Sequence, residues 1–173
     1  VNDILQLSHL DNVSETGAAP AMETVDLLDV ARECVERQKV NARHSYISLT
    51  YLGESAPVTG SRVLLDELCQ NLCDNAIRYN RPGGKVQIIT ACTRDGHCTL
   101  TVKDNGIGIP KEAQTSVFER FYRVDKSRSK ATGGTGLGLA IVKHIARIHN
   151  ARIKLDSVVD EGTTITVIFE TAS

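Results

Sequence analysis

Hydrophobic positions along this chain switch between a period near 3.6 and a period of 2, and the switches outline its elements. Residues 1–12, VNDILQLSHLDN, set Ile4, Leu7 and Leu10 at near-helical spacing, which predicts the end of a helix continued from a longer one. A small-residue, polar linker with Pro20 follows over 13–21. A short strand is predicted near 23–25, then a helix over about 26–43 with Leu27, Val30, Ala31, Cys34 and Val35 on one face. Residues 47–52 alternate as a strand, and Pro57-Val-Thr-Gly60 adds a short one. Ser61 is placed to cap a helix over 62 to about 80. Pro82-Gly83-Gly84 breaks the chain before a hairpin, 85–93 and 98–103, turning on Arg94-Asp95-Gly96. Residues 111–133 show no long regular pattern. A helix over about 137–149 and a last hairpin, 153–158 and 163–169, complete the chain. Three helices among hairpin-joined strands predict an α/β two-layer sandwich: a mixed, mostly antiparallel sheet with the helices on one face.

Composition changes this picture little. The 173 residues are 41% hydrophobic, enough for one domain with a sizeable core. A net charge of −1 gives no global attraction to nucleic acid or anionic membrane, and no nucleic-acid partner is expected. The longest apolar runs are too short to span a bilayer. Five cysteines (34, 69, 73, 92, 98) include no CxxC pair, and reduced, partly buried thiols are expected, as suits a reducing cytoplasm. The first residue is Val, so the chain is expected to be a piece of a longer protein.

The chemistry concentrates in four stretches. "DNGIGIP", 104–110, places Asp104 where a strand ends and a loop with Gly106 and Gly108 begins. A lone GxG of this kind is ordinarily a strand-ending turn. "GGTGLGLA", 133–140, alternates Gly134, Gly136 and Gly138 and then enters a helix, whose free N–H groups make an anion site. Leu139 stands where a dinucleotide-binding fingerprint needs glycine, and no GK[ST] occurs, so it is neither that fingerprint nor a Walker A loop. A flexible hinge is the plainer alternative. Between the two glycine stretches lie six cations (Lys111, Arg120, Arg123, Lys126, Arg128, Lys130) against three acids, with Phe118, Phe121 and Tyr122. That segment reads as a lid anchored by aromatics and covering phosphates with its cations, or as a solvated loop. Finally, "ELCQNLCDNAIRYN", 67–80, aligns Asn71, Asn75 and Arg78 on a helix face away from Leu64, Leu65, Leu68 and Leu72. Aligned amides beside an arginine suit a hydrated Mg²⁺ and its phosphates.

"NLCDNAIRY", "DNGIGIP", "FERFYRVD" and "GGTGLGLAIV", in this order, resemble the N, G1, F and G2 boxes of the catalytic, ATP-binding domain of bacterial sensor histidine kinases. The resemblance implies the Bergerat fold, with residues 13–173 as the catalytic domain. Residues 1–12 would end the dimerisation and phosphoacceptor hairpin. It further implies that Asn75 ligates Mg²⁺ and Asn71 supports the triphosphate, while Arg78 and Tyr79 flank the nucleotide. Asp104 would accept from the adenine amino group, Gly106 and Gly108 letting the base approach. Arg123 would reach the γ-phosphate, and Gly134, Thr135, Gly136, Leu137 and Gly138 would close around the phosphates. The implied partners are the parent's own dimerisation domain and a response regulator, for a monomeric fragment of a homodimeric, cytoplasm-facing sensor.

Two departures bound that expectation. Related ATPases carry a water-activating glutamate one turn before the metal-binding asparagine, whereas this chain has Asn71, and an amide is no general base. None of His9, His44, His97, His144 and His149 has the acidic neighbour that marks the family's phosphoacceptor, so the chain is expected to be the donor half only. Lys126, Arg128 and Lys130 match no fixed position of the family. A serine kinase of the anti-sigma type and a nucleotide-binding module without transferase activity are the alternatives.

Overall fold

The structure, a computed structural model, describes residues 21–114, 116–118 and 138–170. The expected helix end at 1–12 and Arg123, Gly134, Thr135, Gly136 and Leu137 lie outside the described residues. The elements run β1 (Glu23–Asp26), α1 (Leu27–His44), β2 (Ser48–Gly53), β3 (Pro57–Gly60), α2 (Arg62–Arg78), β4 (Lys85–Cys92) and β5 (His97–Asp104). A 3₁₀ turn (Lys111–Ala113), α3 (Gly138–Ile148), β6 (Arg152–Val158) and β7 (Gly162–Glu170) follow. Every described α-helix and strand lies within a few residues of the position that periodicity predicts, whereas the 3₁₀ turn falls in a stretch where the sequence shows no regular pattern.

The main sheet has the order β2-β4-β5-β7-β6, with β2 parallel to β4 and every other neighbour antiparallel. β1 and β3 pair separately as a two-stranded antiparallel ribbon. Alternation decides which face is covered: Val86 and Ile88 on β4, Leu100 and Val102 on β5, and Ile165, Val167 and Phe169 on β7 are all buried. The helices turn their apolar stripes to the same core, α2 packing against both α1 and α3. Each of the first two helices starts on a side-chain cap. Asp26 accepts from Leu28 N at 3.0 Å and also from Ala56 N at 2.8 Å, tying the start of α1 to the approach to β3. Ser61 Oγ accepts from Leu64 N at 3.4 Å at the start of α2.

One expectation fails. Cys92 and Cys98 are joined as a disulfide rather than left as thiols. The β4–β5 register sets the two residues directly opposite each other with Cα atoms 4.2 Å apart, a proximity that six residues of sequence separation do not disclose. Cys34, Cys69 and Cys73 are free and buried.

Candidate nucleotide site

Asp104 is the last residue of β5, between Val86 of β4 and Thr163 of β7. Its Oδ1 accepts hydrogen bonds from Gly106 N at 2.9 Å and Thr163 N at 3.2 Å. Oδ2 has no hydrogen-bond partner among the described residues. Burial pushes the carboxyl up to about 6, the two backbone donors offsetting only part of that desolvation. The site therefore holds a carboxylate with one oxygen fixed and one available.

The loop after Asp104 is wedged between two parts of the fold. Ile107 N donates to Tyr79 O at the end of α2, and Ile107 O accepts from Asp160 N in the β6–β7 turn. Ile109 N donates to Ser157 Oγ at 2.7 Å, and Gln114 Nε2 reaches back to Ile109 O at 2.9 Å. A Cβ at Gly106 would lie 2.5 Å from Tyr79 O; one at Gly108, where φ is +74°, would lie 2.2 Å from Val158 O. The chain's own main chain thus already requires both glycines, a reason that the sequence does not display.

Along α2, Asn71 Nδ2 donates to Glu67 O at 2.9 Å, which fixes the amide against its own helix. Its Oδ1 lies 3.8 Å from where a Cβ of Gly138 would sit, so α2 meets the first residue of α3 here. Asn75 is half-buried, and its side-chain amide makes no hydrogen bond among the described residues. Arg78 is paired with Asp74 at 2.9 Å, one turn back. The structure thus brings together Asn71 with Gly138 and Tyr79 with Gly106, with Asn75 between them on α2. Asn71 and Tyr79 are eight residues apart, about 12 Å along the helix axis.

Sequence reasoning missed several supporting residues. Asn80 is buried at the end of α2 and joins it to the start of β4 through Lys85 O at 3.1 Å. Gly162, with φ of +130°, lets β7 begin against Asp104: a Cβ there would meet Asp104 O at 2.1 Å. Ser157 bonds both Ile109 N and Thr163 Oγ1, bracing the loop from below. Only a sheet register would have pointed to them.

A sheet backed by three helices, with an acidic strand end and a glycine loop beside an asparagine-bearing helix, is also what known proteins match. The description "Histidine kinase-, DNA gyrase B-, and HSP90-like ATPase" fits residues 60–173. The chain belongs to that family. It is 45% identical over 172 residues to the sensor-like histidine kinase SenX3 of Mycolicibacterium smegmatis, covering 96% of this chain and 43% of the relative. With the sensor protein kinase WalK of Staphylococcus saprophyticus it shares 37% identity over 166 residues, 95% of this chain and 27% of the relative. The solved mycobacterial sensor histidine kinase MprB superposes with a TM-score of 0.74 at 32% identity, covering 86% of this chain and 97% of that one. Within the family this is a catalytic, ATP-binding domain of the sensor-histidine-kinase kind. The chain spans less than half the length of the SenX3 and WalK relatives.

Proposed function

We propose that this domain binds Mg²⁺-ATP along α2 and transfers the γ-phosphoryl group to a histidine on the dimerisation hairpin of its parent. The observation that carries the reading is the path along α2. Tyr79 at one end touches the loop after Asp104, Asn71 at the other faces the start of α3, and Asn75 lies between. Adenine would sit at the Asp104 end, its amino group donating to the free Oδ2. The triphosphate would run toward Gly138, where helix N–H groups suit anionic oxygens. Asn75 offers one neutral oxygen, and no group of three His, Cys, Asp or Glu among the described residues could hold a metal ion. Those donors fit Mg²⁺, whose remaining ligands would be waters and phosphate oxygens and which would neutralise charge on the phosphates. Arg123, Gly134, Thr135, Gly136 and Leu137 keep the phosphate-side roles that the resemblance implies.

Transfer rather than hydrolysis follows from Asn71, which cannot deprotonate water. The partners are the parent's dimerisation hairpin, of which residues 1–12 form the end, and a response regulator; residues 13–173 act as the catalytic unit. Among the described residues no helix is long and apolar enough to cross a membrane, and the domain would work on the cytoplasmic side.

The test is to incubate the chain with γ-labelled ATP, with and without the separate hairpin. Label should reach the hairpin only, be lost in acid and be kept in alkali, as a phosphoramidate is. Without a tether, which holds the acceptor at about millimolar effective concentration, transfer should be slow and rise with hairpin concentration. Acid-stable label would identify a serine kinase, and stable label on the chain alone would overturn the donor-only reading.

A further inference from the structure

On β6 the inward positions read Ile153, Leu155, Ser157, so a hydroxyl stands where the alternation calls for an apolar side chain. Ser157, Thr163 and Asp104 lie level with one another across β6, β7 and β5. The hydroxyl is fully used. It donates its proton to Gly162 O at 3.0 Å, and accepts from Ile109 N at 2.7 Å and from the Thr163 hydroxyl at 2.8 Å. One side chain thus holds both flanks of the glycine loop: Ile109 at its far end, and Gly162 and Thr163 where β7 starts beside Asp104. Gln114 closes the frame, its Nε2 donating to Ile109 O at 2.9 Å and to Ser157 O at 3.1 Å. The β6–β7 turn does not need the hydroxyl. The Val158–Gly162 pairing and the bond from Glu161 N to Val158 O at 3.0 Å close it.

Resting on the reading that adenine sits at Asp104, we propose that Ser157 is a positioning residue for base recognition: it aims Oδ2 of Asp104 at the adenine amino group. Oδ1 is fixed by two amides, Gly106 N at 2.9 Å and Thr163 N at 3.2 Å. Two donors on one oxygen set the plane of the carboxylate, and with it the direction of the other oxygen. Those donors belong to separate pieces of chain, the loop and β7. Ser157 ties the pieces together, because Ile109 lies three residues beyond Gly106 and Gly162 is next to Thr163. Gly162 also packs so close to the strand end that an added Cβ would meet Asp104 O at 2.1 Å, so a shift of β7 passes directly to Asp104. Without the hydroxyl, the Ile109 amide, the Gly162 carbonyl and the Thr163 hydroxyl lose their shared partner. The two amides on Oδ1 then move independently. Hydrogen bonds weaken steeply as they leave alignment, so the contact that suffers is the one specific to adenine. Contacts to the sugar and phosphates come from other residues and are spared.

The experiment is calorimetry of the whole chain with ADP and with inosine diphosphate. Inosine carries an oxygen where adenine carries its amino group, so the ratio of the two affinities reads the contact at that group. The wild-type chain should prefer ADP by at least about tenfold. Ser157→Ala should lose about tenfold in ADP affinity and about twofold or less in inosine diphosphate affinity, so that the preference collapses. Ser157→Thr keeps the hydroxyl, suits a strand and should retain the preference. Gln114→Met leaves the hydroxyl in place and should lower the ratio roughly two- to threefold. A wild-type ratio in Ser157→Ala would overturn the proposal even if both affinities fell, because the serine would then serve the fold alone. If Ser157→Ala does not fold, Gln114→Met decides, and an unchanged ratio there overturns the proposal. A wild-type chain that binds both nucleotides equally would overturn the adenine reading itself, and the role of Ser157 with it.

Discussion

Oδ1 of Asp104 is already occupied by the amides of Gly106 and Thr163, and any ligand must use Oδ2. Asp104→Asn keeps an oxygen for both backbone donors and can turn its NH₂ toward the base. The adenine hydrogen bond would be lost at a cost of about 1–3 kcal/mol, roughly tenfold to a hundredfold in ATP affinity by calorimetry. A nucleotide without the amino group should lose much less, and an unchanged ATP affinity would remove Asp104 from the base site. The same substitution separates binding from stability. A carboxyl raised to about 6 contributes most to folding below the unfolded value near 3.9, and that contribution is lost as pH rises through 6. Without nucleotide, Asp104→Asn should therefore melt at the same temperature as wild type or higher at pH 7.5, while binding worse. A wild-type chain should also bind ATP less tightly as pH falls through 6, because protonation removes acceptor capacity from the carboxylate.

His149 shows why individual elements were legible and their junctions were not. Periodicity located α2, and Ser61 marked its start, because both signals are local. What holds that start in place comes from 88 residues away: His149 Nε2 accepts from Ser61 N at 3.0 Å, with Nδ1 donating to Ile145 O at 2.8 Å. Its ring also meets Phe169 edge-on, centroids 6.1 Å apart. In the sequence His149 is only a histidine without an acidic neighbour. The Cys92–Cys98 bond and the contacts of Gly106 and Gly108 were hidden for the same reason, since each depends on strand register or on a loop meeting a distant main chain. Burial lowers the His149 pKa, so the fold favours the neutral ring. Its stabilising contribution is complete above the unfolded value of about 6.5 and is lost as pH falls through the lower folded value. His149→Ala should cost about 2–3 kcal/mol at pH 7.5 by denaturant titration, from the unpaired Ser61 amide and the cavity left beside Phe169. The gap to wild type should narrow at pH 5. A gap that does not change with pH would mean that the ring's proton has no part in holding α2.

At the scale of the whole molecule, the helices, the sheet and the four motifs were legible because each is written in a short run of residues. In the proposed reading, the direction of the chemistry rests on two side chains, Arg123 and Asn71. Arg123→Ala should slow transfer to the hairpin more than it weakens ADP binding, because ADP lacks the γ-phosphate that the arginine would contact. Equal losses in transfer and in ADP affinity would sink that role. Asn71 carries the other half of the argument. Its amide is clamped to Glu67 O with the oxygen toward α3, close to where the triphosphate would lie, yet it can take no proton from water. Asn71→Glu restores a group of the right class at the position where the family's hydrolases carry it. General-base catalysis is typically worth about 10²–10⁴-fold, and a base installed without its supporting contacts would deliver only part of that. Phosphate release by the isolated variant should rise at least about tenfold over the wild-type chain, while transfer to the hairpin falls as ATP is consumed by water. If phosphate release is already fast in the wild type, or is unchanged in the variant, the amide at 71 does not decide between water and histidine.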